Sequence, residues 1–335
     1  MLILPYNQIN MMTRQIRAII FWSMFVLFLI FSPIAIFYAL DYSYDWQNKK
    51  LVQNGAFYFK SSPRNAEIFI NSKNKKNTPR FIKRLIPKNY TVEIKKDGFQ
   101  PWKKELSVMP GIVTEAKYIL LIAAKPQLTL IVDDIKHLRD YFPGQFQTDE
   151  TKKQSIKKLA ESSLTLKKYD VIASPNHYAA ILANATTSPA SLTNNHSLYL
   201  LNEDNSFNLL AKDVIAAEFS SDNKKILWYT DHEIWVYWLA EDYNYLPPYK
   251  KAGDIEFITR YNEKINQAVW YQGDDQHIIF TIGDTIKIVE LDDRDQKNIF
   301  DIVNIKNPEI LSKDKSLYIF SENKIYKTQL ENWLF

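Results

Sequence analysis

The residues of this 335-residue chain that could do chemistry are five histidines, several aspartate pairs and a cluster of tryptophans. His137, His177, His196, His232 and His277 lie one to a segment. His232-Glu233 lacks the second histidine that a zinc-protease helix places one turn on, and it falls in a predicted hairpin turn. Asp292, Asp293 and Asp295 resemble part of a calcium loop, but Lys297 follows where another oxygen ligand is expected. No glycine turns that loop and no glutamate closes it, so it reads as a solvated hairpin tip, as do Asp274 and Asp275. Trp228, Trp235, Trp238 and Trp270 would make a stacking platform for a sugar ring on an open face; on alternating strands such residues more often fill sheet interfaces. There is no Gly-x-Ser-x-Gly, no phosphate-binding glycine loop and no dinucleotide fingerprint. Cysteine is absent, which removes disulfides, thiolate metal sites and cysteine nucleophiles together. The expectation is a non-enzymatic chain with no catalytic residue, cofactor or metal.

The elements that carry these residues divide by charge. Residues 1–200 hold 27 Lys/Arg against 14 Asp/Glu, whereas 201–335 hold 15 against 24, a split that predicts modules with different surfaces. Residues 18–40 run 23 positions without a charge, enough for a helix across the roughly 30 Å hydrocarbon core. Trp22 and Tyr38 suit its two interfaces, and Pro33 is a kink of the kind bilayer helices tolerate. The run is longer than a signal-peptide core and no small-x-small cleavage site follows, which predicts an uncleaved anchor. Arg14 and Arg17 precede it and Asp41 and Asp45 follow, so residues 1–17 are expected in the cytoplasm and the rest beyond the membrane.

From 55 to 121 short runs alternate with period two, as in "AEIFINS" and "NYTVEIKKDG", and turns separate them. The set Ser62, Pro63, Ala66, Ile68, Ile70, Thr78, Pro79, Leu85, Pro87, Tyr90, Val92, Ile94, Gly98, Phe99 and Trp102 resembles the PEGA domain, a small β-sandwich of bacterial and archaeal envelope proteins. The resemblance implies an antiparallel sandwich over 55–121 and an envelope location in a prokaryote. The four residues that name the family stand here as Pro63-Arg64-Asn65-Ala66, with Asn65 able to serve the turn in the left-handed conformation. Gly98 is expected at positive φ. Residues 60–104 carry 13 Lys/Arg and 3 Asp/Glu, and Lys73, Lys75, Lys76, Arg80, Lys83 and Arg84 are the candidate surface for anionic headgroups or envelope polymers. A solvated lysine-rich face is the structural alternative.

Residues 147–168 are polar and read as an exposed helix or loop. Beyond them the chain repeats itself: 217–239, 268–291 and 309–330 share one plan, with Ile226, Ile278 and Leu317 equivalent, and likewise Ile234, Ile286 and Ile325. A fourth copy over 171–201 fits once its polar insertion is set aside. Phe219, Ser220, Asp222 and Lys224 are similar to the repeat start of Tol-type periplasmic propellers, which implies a mainly β architecture over 126–335 with about 4–5 blades. Residues 126–146 could supply strands of a fifth, and a twisted all-β array that never closes is the structural alternative.

These readings converge on a membrane-anchored envelope protein presenting a basic sandwich and a propeller-like binding domain. Its expected partners are membrane lipid through 18–40 and an anionic envelope polymer or a protein, not nucleic acid. The rival is a glycan-processing hydrolase or lyase with paired carboxylates in the propeller's central pocket.

Overall fold

The expected membrane helix forms as α1 (Arg14–Ala39) in the computed structural model, which describes residues 13–142, 154, 156–158, 160–161, 169–173, 179–184, 196–202, 204–243 and 250–330. It begins one turn before the uncharged run, so Arg14 and Arg17 lie at its start, and Pro33 is inside it. Its 26 residues are long and apolar enough to cross a bilayer, and none of them is buried against the rest of the protein. A ribbon of β1 (Tyr42–Asp45) and β2 (Lys50–Gln53) follows at once.

Seven strands then build the small sandwich: β3 (Gly55–Ser62), β4 (Glu67–Ile70), β5 (Lys73–Asn77), β6 (Arg80–Leu85), β7 (Asn89–Lys95), β8 (Trp102–Ser107) and β9 (Val113–Leu120). One sheet runs β6-β3-β9 and the other β5-β4-β7-β8. Phe57, Phe59, Ile68, Ile70, Val92, Ile94, Trp102 and Leu106 fill the space between them, one from every second position as period-two strands require. The pairs are antiparallel except β3 with β9. The exception has a simple cause: β3 enters from the helix and β9 leaves for the next domain, so both run away from the helix. The turns follow the sequence reading, with Asn65 at φ 60° and Gly98 at φ 80°. Lys76, at φ 81°, is held there by its N–H donating to Asn74 Oδ1 at 2.8 Å. Thr78 Oγ1 hydrogen-bonds Ser61 Oγ (2.5 Å) and accepts the Ala66 N–H (3.1 Å), tying together the two proline turns.

The remaining strands are β10 (Thr129–Asp133), then, after the short helix α2 (Leu138–Tyr141), β11 (Tyr169–Ala173), β12 (Ala179–Asn184), β13 (His196–Leu201) and β14 (Phe207–Val214). Next come β15 (Ala216–Phe219), β16 (Lys225–Tyr229), β17 (Glu233–Trp238), β18 (Ile255–Arg260), β19 (Ile265–Trp270), β20 (His277–Ile282), β21 (Thr285–Glu290) and β22 (Ile299–Asn304). The last three are β23 (Glu309–Lys313), β24 (Ser316–Ser321) and β25 (Lys324–Gln329). They make four antiparallel four-stranded sheets: β11 to β14, β15 to β18, β19 to β22, and β23-β24-β25-β10. Four blades form among the described residues, inside the expected 4–5, and the stretch that could have begun a fifth supplies one strand. β10 instead pairs with β25, Thr129 opposite Lys327, and completes the fourth sheet. This pairing ties the two ends of the array and covers an edge that would otherwise stay open. Neighbouring sheets meet through their early strands, β11 on β15, β16 on β19 and β19 on β23. In the polar stretch before β11, Ile156 and Ala160 are buried against Val171.

The repeat register holds to the residue. Ile226, Ile278 and Leu317 are each second in β16, β20 and β24, and Ile234, Ile286 and Ile325 second in β17, β21 and β25. All six are buried. Asp275 departs from the sequence reading. It is 6% exposed, and its carboxylate accepts the Ser221 and Asp222 N–H groups (3.2 and 2.9 Å) and the Ser221 hydroxyl of the preceding blade. A hairpin tip is solvated on a lone sheet; in an array of packed sheets it meets the neighbouring blade. Ile278→Ala is expected to cost about 2–5 kcal/mol as a large-to-small core change. Asp275→Ala should cost about 1–3 kcal/mol by stranding those donors, rather than nothing. Denaturant unfolding of the two variants measures both.

Candidate functional site

Three places bring polar chemistry together. The first is the basic edge. β5 and β6 are edge strands of the two sheets and lie side by side, and Lys73, Lys75, Lys76, Arg80, Lys83 and Arg84 are all exposed on them. Lysine on an edge strand also blocks pairing with another chain, so exposure alone has a structural explanation. Arg84 adds something further. The β3–β6 register slips between Gly55 and Phe57, opposite the Ile82-to-Leu85 stretch, and Arg84 stands at φ 60° within that irregularity. A bulge re-aims a side chain. Here the guanidinium stacks 3.4 Å from the centre of the Tyr38 ring, pairs with Asp41 at 3.2 Å and donates to the Tyr38 carbonyl at 3.3 Å. The basic edge is therefore fastened to the end of α1. Among the described residues Arg84 is the member of the six that pairs with a carboxylate.

The second place is the seam between sandwich and propeller. β8 alternates inward and outward, and Lys104 shares the inward face with Trp102 and Leu106. Its ammonium, fully buried, pairs with Glu290 at 2.9 Å and donates to the Asp292 and Gln296 carbonyls, each at 2.8 Å. Trp102 Nε1 donates to the other Glu290 oxygen at 2.7 Å. The aspartates that resemble a calcium loop belong here, which corrects the reading of a solvated tip. Asp292 is buried against Arg294, whose guanidinium also donates to the Glu115 carbonyl at 2.7 Å. Asp295 accepts the Glu105 N–H at 2.7 Å, and Asp293 pairs with Lys250. Burial pushes the Asp292 carboxyl up, but Arg294, with Lys104 behind it, holds it below the ordinary carboxylate range. No group of three metal-ligating side chains occurs among the described residues.

The third place is a cavity of about 910 Å³ at the centre of the array. β15, β19 and β23 line it, and His137, Leu138 and Arg139 close one side. Glu218 is hemmed in by protein while part of its surface opens on this cavity, with Tyr229 and Glu309 on the same lining. Its carboxylate takes one long bond from the Trp270 N–H at 3.3 Å. Burial pushes Glu218 up to about 7, the Trp270 N–H pulling against this and the Asp275 carboxylate adding to it. Burial, with Glu218 nearby, also pushes the Tyr229 phenol up to about 12.

The other candidates resolve into structure. Trp228, Trp238 and Trp270 are buried, and half-buried Trp235 stacks on Trp228 with ring centres 6.3 Å apart, so these four do not form an open sugar platform. His277 is buried and bonded at 2.8 Å to Asp274, three residues before it, as buried Lys225 pairs at 3.2 Å with Asp222, also three residues before it. His232 Nδ1 lies 3.1 Å from the Tyr261 carbonyl, and His177 falls outside the described residues. Lys104 could have been found from its parity with Trp102 and Leu106. Glu218 carries no sequence signal beyond its place before Phe219.

Residues 55–122 match the PEGA domain. No curated protein matches the chain. Among solved structures, the chain is similar to the β-propeller domain of the Trilobed protease from Pyrococcus furiosus, at 12% identity over 48% of this chain and 57% of that one, with a TM-score of 0.32. It therefore spans little more than half of that domain. It is also similar to Kluyveromyces lactis Hsv2, at 12% identity over 84% of this chain and 76% of that one, with a TM-score of 0.35. The propeller-like reading rests on the four-sheet topology described above.

Two outcomes are expected from the buried charges. Lys104→Met should destabilise by about 3–5 kcal/mol, because it leaves Glu290 buried without its cation, and adding Glu290→Gln should recover part of the loss. Glu218 has a folded pKa raised from 4.5 to about 7, so its contribution to stability is complete below pH 4.5 and is lost as pH rises through about 7. Glu218→Gln should therefore match wild type at low pH and exceed it above pH 7, by up to about 3 kcal/mol at roughly 1.4 kcal/mol per unit. Thermal melts across pH read this directly.

Proposed function

We propose that this chain is a membrane-anchored, non-enzymatic binding protein of a prokaryotic cell envelope. α1 spans the membrane with residues 1–17 in the cytoplasm, and the PEGA sandwich and propeller-like array stand outside it. The observation that carries the reading is Arg84, whose contacts to Tyr38 and Asp41 hold the basic edge beside the helix end. Lys83 and Arg84 then lie next to anionic headgroups, where each basic residue is worth ~1 kcal/mol. Arg80, four residues up the strand, is about 13 Å farther at 3.3 Å per residue. That exceeds the screening length of about 8 Å. Arg80, Lys75 and Lys76 therefore address a polyanion above the leaflet, an envelope polymer or an acidic protein surface, rather than the lipid.

A second reading, a glycan-processing hydrolase or lyase, is favoured by one observation: Glu218 is poised near neutral pH in a cavity that Glu309 also lines. A carboxyl with that pKa is suited to general-acid work. Binding is preferred because the basic edge is aligned with the helix end by specific contacts.

The detergent-solubilised chain should be retained by an immobilised polyanion and elute with salt. Charge reversal at Lys75, Lys76 and Arg80 should lower the eluting salt sharply without changing the melting temperature. Unchanged elution would leave these residues as edge protection.

A further inference from the structure

The ribbon between α1 and the sandwich belongs to the core of neither β domain. Its register is Tyr42↔Gln53, Ser43↔Val52, Tyr44↔Leu51 and Asp45↔Lys50. Alternation places Tyr42, Tyr44 and Leu51 on one face, and Trp46 continues it at the same parity. That face is uncovered: Tyr44 is 43% exposed, Leu51 44% and Trp46 83%. The other face is tied down. Ser43 Oγ accepts from Asn54 Nδ2 at 2.8 Å, and the Asp45 carboxylate accepts from the Gln47 N–H, the Asn48 N–H and Asn48 Nδ2. The aromatic surface is continuous with the helix, since Phe37 of α1 meets Tyr42 edge-on (6.0 Å) and Tyr44 meets Trp46 edge-on (4.8 Å). Beside the ribbon's base, the turn before β9 exposes Met109 and Ile112, and its Gly111 N–H donates to the Asn54 carbonyl at 3.0 Å.

We infer that this ribbon lies in the headgroup layer of the leaflet from which α1 emerges, with Tyr44, Trp46 and Leu51 turned toward the acyl chains. The inference rests on the reading of α1 as a membrane span. Two strands alone are marginal in water, so a ribbon with one bare aromatic face needs a second surface. Tyrosine and tryptophan favour the membrane interface, where the ring is apolar and its polar edge is wet. The ribbon starts three residues after the helix ends, at Tyr42 after Ala39, so it cannot leave the neighbourhood of the bilayer. Lys49 and Lys50, exposed at its turn, supply cations for lipid phosphates. The chain would then touch the bilayer at two places, the span and the ribbon, which fixes the tilt of the sandwich on the leaflet. A second copy of the chain is the competing occupant of the same face.

The absence of cysteine makes any introduced cysteine a unique labelling site. Nitroxide labels on Trp46→Cys, Leu51→Cys, Phe28→Cys and Lys306→Cys of the full chain, in nanodiscs of mixed zwitterionic and anionic lipid, report collision with oxygen against a water-soluble nickel chelate. Position 28, mid-helix, should be the deepest, positions 46 and 51 should be shallow in lipid, and 306 on the propeller should be in water. The nickel-to-oxygen ratio at 46 and 51 should fall several-fold below that at 306. If 46 and 51 match 306 while 28 is deep, the ribbon is in water and this inference fails with the span intact. If 28 also matches 306, the span itself fails. Shielding of 46 from both reagents, with spin–spin broadening, would assign the face to a second copy and overturn the lipid assignment.

Discussion

A lysine ammonium removed entirely from water has to find its counter-charge and its acceptors within the protein, and Lys104 finds all of them across a domain boundary. Glu290 comes from the end of β21, and the Asp292 and Gln296 carbonyls come from the loop that follows. The cost of desolvating such a pair is recovered only when geometry and hydrogen bonds are complete. Sandwich and propeller are therefore held in one relative position, since any slip would leave a buried charge unmatched. Trp102, bonded to the same carboxylate, closes the seam on its apolar side. At the other end of the sandwich Arg84 meets the end of the helix through Tyr38 and Asp41, an exposed contact and a weaker joint than the seam.

The charge split of the sequence acquires a physical meaning at the seam. The basic first part and the acidic second part meet in the Lys104–Glu290 ion pair, while the Glu105 N–H donates to Asp295 and Arg294 reaches back to the Glu115 carbonyl. Part of the asymmetry is thus spent on docking the domains rather than on recruiting a partner. Five exposed basic residues of β5 and β6, Lys73, Lys75, Lys76, Arg80 and Lys83, have no carboxylate partner among the described residues.

Local periodicity was legible and non-local pairing was not. The second-position equivalence of Ile226, Ile278 and Leu317 could be read from spacing, because each blade repeats the same turn-to-strand distance. The PEGA turns were likewise legible, since Asn65 and Gly98 are residue types that tolerate positive φ. The partner of β10 was not legible, because Thr129 meets Lys327 across nearly the whole array and no local pattern encodes that meeting. Asp275 and Asp292 failed for a related reason. Turn composition predicts exposure, but each of these turns is pressed against another sheet or domain. Glu218 was invisible because a single glutamate on a strand reads as a solvent-facing residue until the neighbouring blades enclose it.

The treatment of buried charge divides the molecule into parts that hold the fold and a part that does not. Lys104, Arg294 and Lys225 are all buried, and each has a carboxylate within 3.2 Å. Lys225 also lies over the Trp238 and Trp270 rings, 5.1 and 5.8 Å from their centres. Glu218 faces the cavity with a single long bond and the Asp275 carboxylate in its field, so it draws no cation among the described residues. Ionising it works against folding at neutral pH, the reverse of what the paired groups do. A chain that satisfies its other buried charges this fully gains nothing structural from a lone acid in a cavity. Glu218 thus stands apart from the paired groups, an acid on a cavity wall with one long bond and no ion-pair partner among the described residues.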